Sequence, residues 1–415
     1  MLRAEPRVLC RGCDAPLTNT LADLGVHPSA NAYLTEDQLA EEERLRPLHA
    51  RVCGNCYLVQ IATVWSQDEL FDDDYAYFSS FSDSWLDHAA RLVDDLIAER
   101  GLGPDSKVVE IASNDGYLLR NVIARGIPCL GVDPCRNVAE VAIAAGIPTE
   151  VRFFGQETAR DLVERGWRAD VIIANNVLAH VPDIRDLVSG LRILLARDGV
   201  ISLEFPHLLR MMDEGQFDTI YHEHFSYLSL TATKRLLERV GLSVFDVERL
   251  KTHGGSLRVR VGHAATSPSV RPSVSEVLAE ERRAGLLRMD TYETFGARAR
   301  SVRTGLRKFL EDAKARGQAV AAYGAPAKGN TLLNYCGIGR DLVSFTVDRS
   351  PRKHGRWLPG SHIPVYPVEY LKTARPDWVL ILPWNLRDEI VECADFVRSW
   401  GGRFVVPIPR IEVIP

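Results

Sequence analysis

Tyr221-His222-Glu223-His224 is the stretch of this 415-residue chain best equipped for chemistry. Two imidazoles, a carboxylate and a phenol stand together between an apolar strand pattern at 199–205 and a helical pattern from Leu230. A base, a carboxylate to orient it and a phenol are the equipment for taking a proton from a substrate. The same residues also suit a pair of metal ligands or a satisfied polar turn. Taken alone, the run favours those plainer roles, so its surroundings must decide.

The cysteines offer a metal a better home. Cys10-Arg-Gly-Cys13 and Cys53-Gly-Asn-Cys56 are two C-x2-C knuckles. Each tight turn sets two thiolates on one side of a loop, and two such turns complete a tetrahedral S4 site for Zn²⁺. Gly12 and Gly54 suit the close backbone path around the metal. Redox cysteines are the alternative, and the matched pairs favour zinc. Four thiolates leave no open coordination position, so the expected zinc is structural. The insert at 14–52 exceeds the usual spacer of about 15–20 residues, which predicts a small subdomain with a role of its own. Cys129, Cys135, Cys336 and Cys393 lack ligand spacing and read as free thiols.

The elements that must position the Tyr-His-Glu-His run alternate between strand and helix. A helical pattern covers 83–100, a buried strand 107–112, a helix 118–125, and strands 129–133, 169–176 and 199–205. That alternation predicts a parallel sheet with helices on both faces. The loop after the first strand reads Glu110-Ile-Ala112-Ser-Asn114-Asp115-Gly116. It aligns with the E-x-G-x-G-x-G loop of class I methyltransferases that use S-adenosylmethionine (SAM). Ala112 and Asn114 replace two glycines; Ala is the smallest substitute and Asn tolerates left-handed backbone. Asp133 ends the second strand, where Rossmann-like sites grip ribose hydroxyls, followed by Pro134, a turn residue. NAD is the rival ligand, but G-x-G-x-x-G is absent. Strands at 242–247 and 256–261 after a helix predict the closing hairpin of a class I sheet. Ligands of such sheets lie beyond the carboxyl ends of the strands. The 221–224 run and Asn175-Asn176-Val-Leu-Ala-His180 both follow strands and belong at that lip.

Residues 272–316 read as charged helices linking to a second Rossmann-like unit, with strands at 319–323, 342–347, 378–382 and 403–406. Tyr323-Gly-Ala-Pro-Ala-Lys328-Gly-Asn330 nearly spells a Walker A loop, but Asn330 stands where the lysine belongs, which excludes an ATPase. A strand, glycine loop and helix can still cradle a diphosphate on backbone N–H groups. A scaffold that merely closes the cleft is the alternative. Gly360-Ser-His-Ile-Pro364 reads as a loop at the edge of this unit.

Across essentially its whole length the chain resembles the SAM-dependent C-methyltransferases of antibiotic deoxysugar pathways. These enzymes act on nucleotide-linked 4-keto-hexoses. The resemblance rests on Tyr75-Ala-Tyr77-Phe78-Ser79-Ser80, the 110–116 loop, the 175–180 run, Tyr221-His-Glu-His-Phe225, His253-Gly-Gly-Ser-Leu-Arg258, Tyr323 to Asn330 and both cysteine pairs. It implies three domains: a zinc-binding module at 1–68, a SAM domain at 69–285 and a closing Rossmann-like domain at 286–415. It implies His224 as general base, with Tyr77, His180, Tyr221 and Glu223 around the sugar. Glu110, Ala112, Asn114, Asp115, Gly116, Asp133, Pro134, Asn175 and Asn176 are the expected SAM residues. Phe78, Ser79, His253, Tyr323, Lys328 and Asn330 are the expected substrate contacts. The implied reaction is methylation at C3, with C5 equally acidic beside the C4 ketone. Plainer roles stay open: Tyr77 as a packing aromatic, His180 as a loop support, Glu223 as a helix cap or an orienter of a neighbour, Tyr221 as an apolar wall.

Composition narrows the remaining classes. A net charge of -5 offers no basic field for nucleic acid. No stretch approaches the ~18 apolar residues of a spanning helix. The first eight residues lack an apolar segment for export, so a cytoplasmic enzyme without an obligate protein partner is expected. The competing class is a zinc-module assembly protein whose α/β domain binds a nucleotide without catalysis. A dehydrogenase or epimerase on the same ketosugar is a third possibility.

Overall fold

The computed structural model describes residues 8–63, 65–71, 75 and 77–414. Residues 1–7, on which the expectation of no export signal largely rests, lie outside the described residues. Among the described residues no helix is long and apolar enough to cross a membrane.

The central sheet has seven strands in the order Leu242–Leu250, Ser256–His263, Leu195–Pro206, Ala169–Asn175, Val108–Ile111, Cys129–Asp133 and Thr149–Val151. The last five are parallel, while Ser256–His263 runs antiparallel to both neighbours. This is the class I methyltransferase arrangement. Its inner strands are apolar on both faces: Val108 to Ile111 and Val171 to Ala174 are fully buried, as helices on each side require. The Asp83–Arg100 helix, capped by Ser82, covers one face with Ala89, Leu92, Val93 and Leu96. The Ile184–Leu194 helix covers the other with Leu187, Val188 and Leu191.

A second sheet of six strands runs Val365–Tyr366, Thr346–Val347, Val320–Tyr323, Trp378–Ile381, Arg403–Val406 and Glu412–Ile414, parallel but for the last. The strand expected at 342–347 is shorter. Leu342 and Val343 instead donate their N–H groups back to the Gly339 carbonyl in a turn, and only Thr346–Val347 pairs.

The N-terminal sheet is built from Asn19–His27, Arg46–Val52, Val59–Ile61 and Ser226–Tyr227. Its fourth strand comes from the segment directly after the Tyr-His-Glu-His run. Val59 pairs with Tyr227 and Gln60 with Ser226. The sheet has no separate core. Leu21, Leu48, Val52 and Ile61 pack in one cluster with Phe295 and Leu306 of the long Phe295–Ala315 helix and with Val320 and Val379 of the second sheet. Cys10, Cys53, Cys56 and Leu58 pack instead against Ile201, Leu228 and Leu230 of the central unit. The cysteine module is thus wedged between the two α/β units.

Candidate active site

A cavity of about 400 Å³ lies over the carboxyl ends of the central strands, in the size range of ligand sites. Its wall draws on all three parts of the chain: Asn31 from the cysteine module, the loops of the central sheet, and Pro326, Ala327, Lys328 and Lys353 from the second α/β unit.

On the side of the central sheet the loop after Val108–Ile111 passes through three left-handed residues, Ala112 (φ 54°), Asn114 (φ 50°) and Gly116 (φ 75°). These are the three glycine positions of the class I pattern. The backbone path therefore persists where two glycines do not. At Gly116 a Cβ would stand 2.4 Å from Ile147 Cδ1, so only glycine fits without displacement. Asn114 also works with its side chain: Oδ1 accepts from Ser79 N (2.9 Å) and Nδ2 donates to the Tyr77 carbonyl (3.1 Å). Asn114 thereby hangs the 77–79 segment on the loop. Asp133 accepts from Asn114 N (2.8 Å) and Cys135 N (2.9 Å), and burial raises its pKa to about 6.

Beside this loop the buried Oδ1 of Asn176 has no hydrogen-bond partner among the described residues, and the buried Asn175 amide has the Tyr117 hydroxyl beside it. Both residues line the cavity with Ile111, Ala112, Val132, Asp133 and Pro134. An orphaned polar atom beside an apolar wall fits a ligand that is part nucleoside and part amino acid, as SAM is. Replacing Asn114 by Ala should keep the left-handed strain and lose both bonds to the 77–79 segment. An unfolding free energy lower by about 1–3 kcal/mol is expected, with weaker SAM binding. Calorimetry of both would check it; unchanged Tm and Kd would remove Asn114 from the loop's support.

Tyr221, Glu223 and His224 of the Tyr-His-Glu-His run line the same cavity. His224 Nδ1 lies 2.8 Å from the Thr219 carbonyl, and Nε2 lies 2.7 Å from Tyr221 Oη. A carbonyl only accepts, so Nδ1 carries the proton and Nε2 is the basic nitrogen, receiving the phenol hydrogen. Burial pushes the His224 pKa well below its ordinary value, with neighbouring His180 adding to the effect. The imidazole is neutral and available as a base. The His180 ring stands 4.6 Å from that of His224, centroid to centroid; it meets the Glu223 backbone, and its buried Nδ1 has no partner among the described residues. Burial lowers its pKa to about 4.

The His224 ring bonds Thr219 and Tyr221, and the Glu223 carboxylate bonds the cysteine module. Both Glu223 carboxylate oxygens accept from Asn31 Nδ2, at 2.9 and 2.7 Å. His222 turns away from the cavity, toward the Pro47 carbonyl (3.2 Å) and the edge of the Trp65 ring.

Other expected residues divide. Tyr77, Ser79, His253 and Lys328 line the cavity. His253 is held in the left-handed region (φ 53°) with its ring against Trp85. Lys328 lies 4.3 Å over the Trp384 ring and bonds Asn385, and burial lowers its pKa to about 8. Glu110, Asp115, Gly116, Phe78, Tyr323 and Asn330 are not on the cavity wall. Glu110 is buried beneath the loop, where desolvation holds its carboxyl protonated well above the usual range. Asp115 accepts from Ser80 N (3.1 Å). Phe78 is buried under Arg352. Tyr323 is buried in the second sheet. Asn330 donates to the Ala30 carbonyl (2.6 Å), joining the second unit to the cysteine module.

Sequence reasoning missed Asn31, Trp85, Gln216 and Lys353 on the wall. Asn31 and Glu223 are 192 positions apart, and a lone Asn in a loop carries no signal. Lys353 had one: it follows the acid at the end of the second strand of the second sheet, and its Nζ reaches the Ala325 carbonyl (2.9 Å) and Asp348 (3.3 Å).

Away from the cavity, the sulfur atoms of Cys10, Cys13, Cys53 and Cys56 all lie within 4.8 Å of one another. The shorter pairs, Cys10–Cys56 and Cys13–Cys53, are 3.5 Å apart. An S4 zinc with about 2.3 Å bonds needs S–S edges of about 3.8 Å, so the residues fit. Asn55 N and Cys56 N point at Cys53 Sγ (3.4 Å each), and Gln60 Nε2 at Cys10 Sγ (3.2 Å), the outer donors that thiolates favour.

Three family models match in succession: a zinc binding domain over 10–71, a methyltransferase domain over 85–247, and a C-methyltransferase C-terminal domain over 251–409. The chain is 38% identical to the C-methyltransferase NovU of Streptomyces niveus over 405 residues, 98% of this chain and 96% of the relative. Solved structures are more remote. The magnesium protoporphyrin IX methyltransferase of Synechocystis PCC 6803 with bound SAM is 16% identical, covering 42% of this chain and 78% of that one, with a TM-score of 0.33. The PH0226 protein of Pyrococcus horikoshii OT3 is 14% identical, covering 45% and 95%, with a TM-score of 0.37. At those scores neither carries weight, and the full-length relative decides. With its SAM loop, its four clustered cysteines and a relative matched from end to end, the chain belongs to the SAM-dependent C-methyltransferase family.

Proposed function

We propose that the enzyme methylates carbon next to the ketone of a nucleotide-linked 4-keto-deoxyhexose, at C3, with His224 as general base. The observation that carries this is the Thr219–His224–Tyr221 chain, which holds a neutral imidazole with a basic Nε2 on the wall of the same cavity that Ala112 and Asn114 of the SAM loop line. A relative named as a C-methyltransferase narrows the reaction to carbon. Carbon becomes a nucleophile at modest cost beside a carbonyl, where the C–H bond pair passes into an enolate.

His224 Nε2 takes the proton. Tyr221 O–H, which occupies that nitrogen in the free enzyme, turns to the ketone oxygen and stabilises the charge developing there. Phenol pKa matters for this role: burial and the neighbouring Glu223 raise that of Tyr221 well above 10, so it stays protonated and donates. When bound, SAM supplies an electrophilic methyl carbon and leaves as a neutral thioether. The protein's share is deprotonation, alignment and exclusion of water. Lys328, Lys353 and the first turn of the Ala327–Cys336 helix supply positive charge and N–H groups on the far wall for the diphosphate. In this reading the sugar binds where the modules at 1–68, 69–285 and 286–415 meet.

Incubation with SAM and thymidine-linked 4-keto-2,6-dideoxyhexose in deuterated buffer should give a C-methyl sugar and deuterium exchange at the attacked carbon. Neither methylation nor exchange across a panel of such ketosugars would sink the reading; methyl at C5 would correct its position. A pH profile supplies a second check. Because the His224 pKa is depressed, the imidazole stays unprotonated as pH falls through 6.5, where an exposed histidine would be half charged. The acid limb of kcat/KM is therefore expected below pH 6.5. A limb at or above that value would argue against His224 as the base in the free enzyme.

A further inference from the structure

The long insert between the two cysteine pairs reaches the cavity at one residue, Asn31. Its neighbours fasten it there. The Ala30 carbonyl accepts from Asn330, Tyr33 Oη donates to the Ala325 carbonyl, and Leu34 bridges to Trp357. Segment 30–34 is thus clamped to the second α/β unit, while Asn31 reaches to the opposite wall and meets Glu223. Glu223 is 1% exposed, and Asn31 Nδ2 donates to both of its oxygens. A carboxylate accepts and does not donate, so it settles which way the amide faces. The carbonyl oxygen Oδ1 is then the remaining polar atom of a side chain that lines the cavity.

We propose that Asn31 determines substrate specificity: its Oδ1 accepts a hydrogen bond from an O–H or N–H donor carried by the sugar ring, and Glu223 is the positioning residue that aims it. The inference rests on the ketosugar reading above and assigns part of the recognition to the cysteine module. An acceptor held by a buried carboxylate cannot rotate to donate, so a substrate offering only acceptors at that position is rejected. Discrimination of this kind is strong because the unsatisfied group stays buried.

The test uses the full-length zinc-loaded enzyme with a ketosugar that it methylates and the analogue lacking one ring hydroxyl or amine, taken in turn around the ring. Wild type should prefer the complete sugar at one ring position by about 10- to 100-fold in kcat/KM, the cost of one unsatisfied buried acceptor. Asn31→Ala should lose most of that preference by slowing the complete sugar, while changing the analogue little and leaving SAM Kd unchanged. Asn31→Asp should be worse than Asn31→Ala, because two carboxylates then face each other. Asn31→Asp combined with Glu223→Gln, which restores an amide–carboxylate pair, should recover part of the loss. Equal losses on the complete sugar and every analogue would overturn the proposal while leaving the ketosugar reading intact. Absence of wild-type turnover on every ketosugar would overturn both.

Discussion

Replacing His224 by Asn is expected to lower kcat by about 10²- to 10⁴-fold, the usual share of a positioned general base. SAM affinity should stay within about threefold, because His224 bonds Thr219 and Tyr221 rather than the 112–116 loop. Exchange of the substrate proton with solvent should fall in parallel with methyl transfer, since both pass through the same deprotonation. Tyr221→Phe should behave differently. It removes the donor to the developing oxyanion, a loss of about 10²- to 10³-fold, and frees Nε2 from its 2.7 Å hydrogen bond. The double variant should lose less than the product of the two, because the residues act as one unit. Single-turnover kinetics with both substrates saturating separates these outcomes from binding. Near-normal kcat in His224→Asn would remove the base assignment.

Zinc removal should also lower turnover, although the cysteines touch no reacting atom. Cys56 lies three positions before the Val59–Ile61 strand, which pairs with Ser226–Tyr227. Ile61 N also donates to the Phe225 carbonyl (3.1 Å), next to His224. A short strand ties the knuckle to the segment that carries His224. Structural zinc contributes about 10–16 kcal/mol to small zinc-binding peptides, comparable to or more than the whole stability of an ordinary domain. Without it the two Cys-x-x-Cys turns have nothing to hold them, and the strand loses its anchor. Chelation, or Cys53→Ser, should therefore lower kcat by at least about 10-fold through the positioning effect. The class I loop, supported by its own sheet, should still bind SAM. Metal analysis, calorimetry with SAM and turnover on one sample give the result. Full turnover in metal-free enzyme would show that the module is only a covering.

Several features were legible because they are local. Strand and helix alternation followed from hydrophobic period, and Cys-x-x-Cys spacing encoded a metal geometry within four residues. The degenerate 110–116 loop was readable because left-handed backbone selects a narrow set of residues. Asn114 is one of them, with φ at 50°. The shortened strand at 342–347 shows the limit. Its apolar pattern serves a buried turn as well as a strand, and hydrophobic period cannot separate the two.

The candidate site was only half legible. Tyr221 and His224 are three positions apart, so one turn of backbone brings phenol to imidazole, and their hydrogen bond is a local event. Glu223 sits between them in sequence yet faces elsewhere, and its partner comes from the far end of the chain. Asn330 belongs to a glycine loop that suggested a ligand contact, but it bonds the Ala30 carbonyl instead. A residue type announces what chemistry it can do, not which neighbour will use it.

From the sequence alone came the class I sheet, the zinc site, SAM as methyl donor and the Tyr221–His224 run as a candidate site. Each depends on residues close in the chain or on a repeating apolar pattern. The tertiary structure decided the tautomer of His224, the partner of Glu223, and the joining of the cysteine module to the Tyr-His-Glu-His run through the Val59–Ile61 strand. Those depend on contacts between distant segments, which form only when the three parts pack around shared cores.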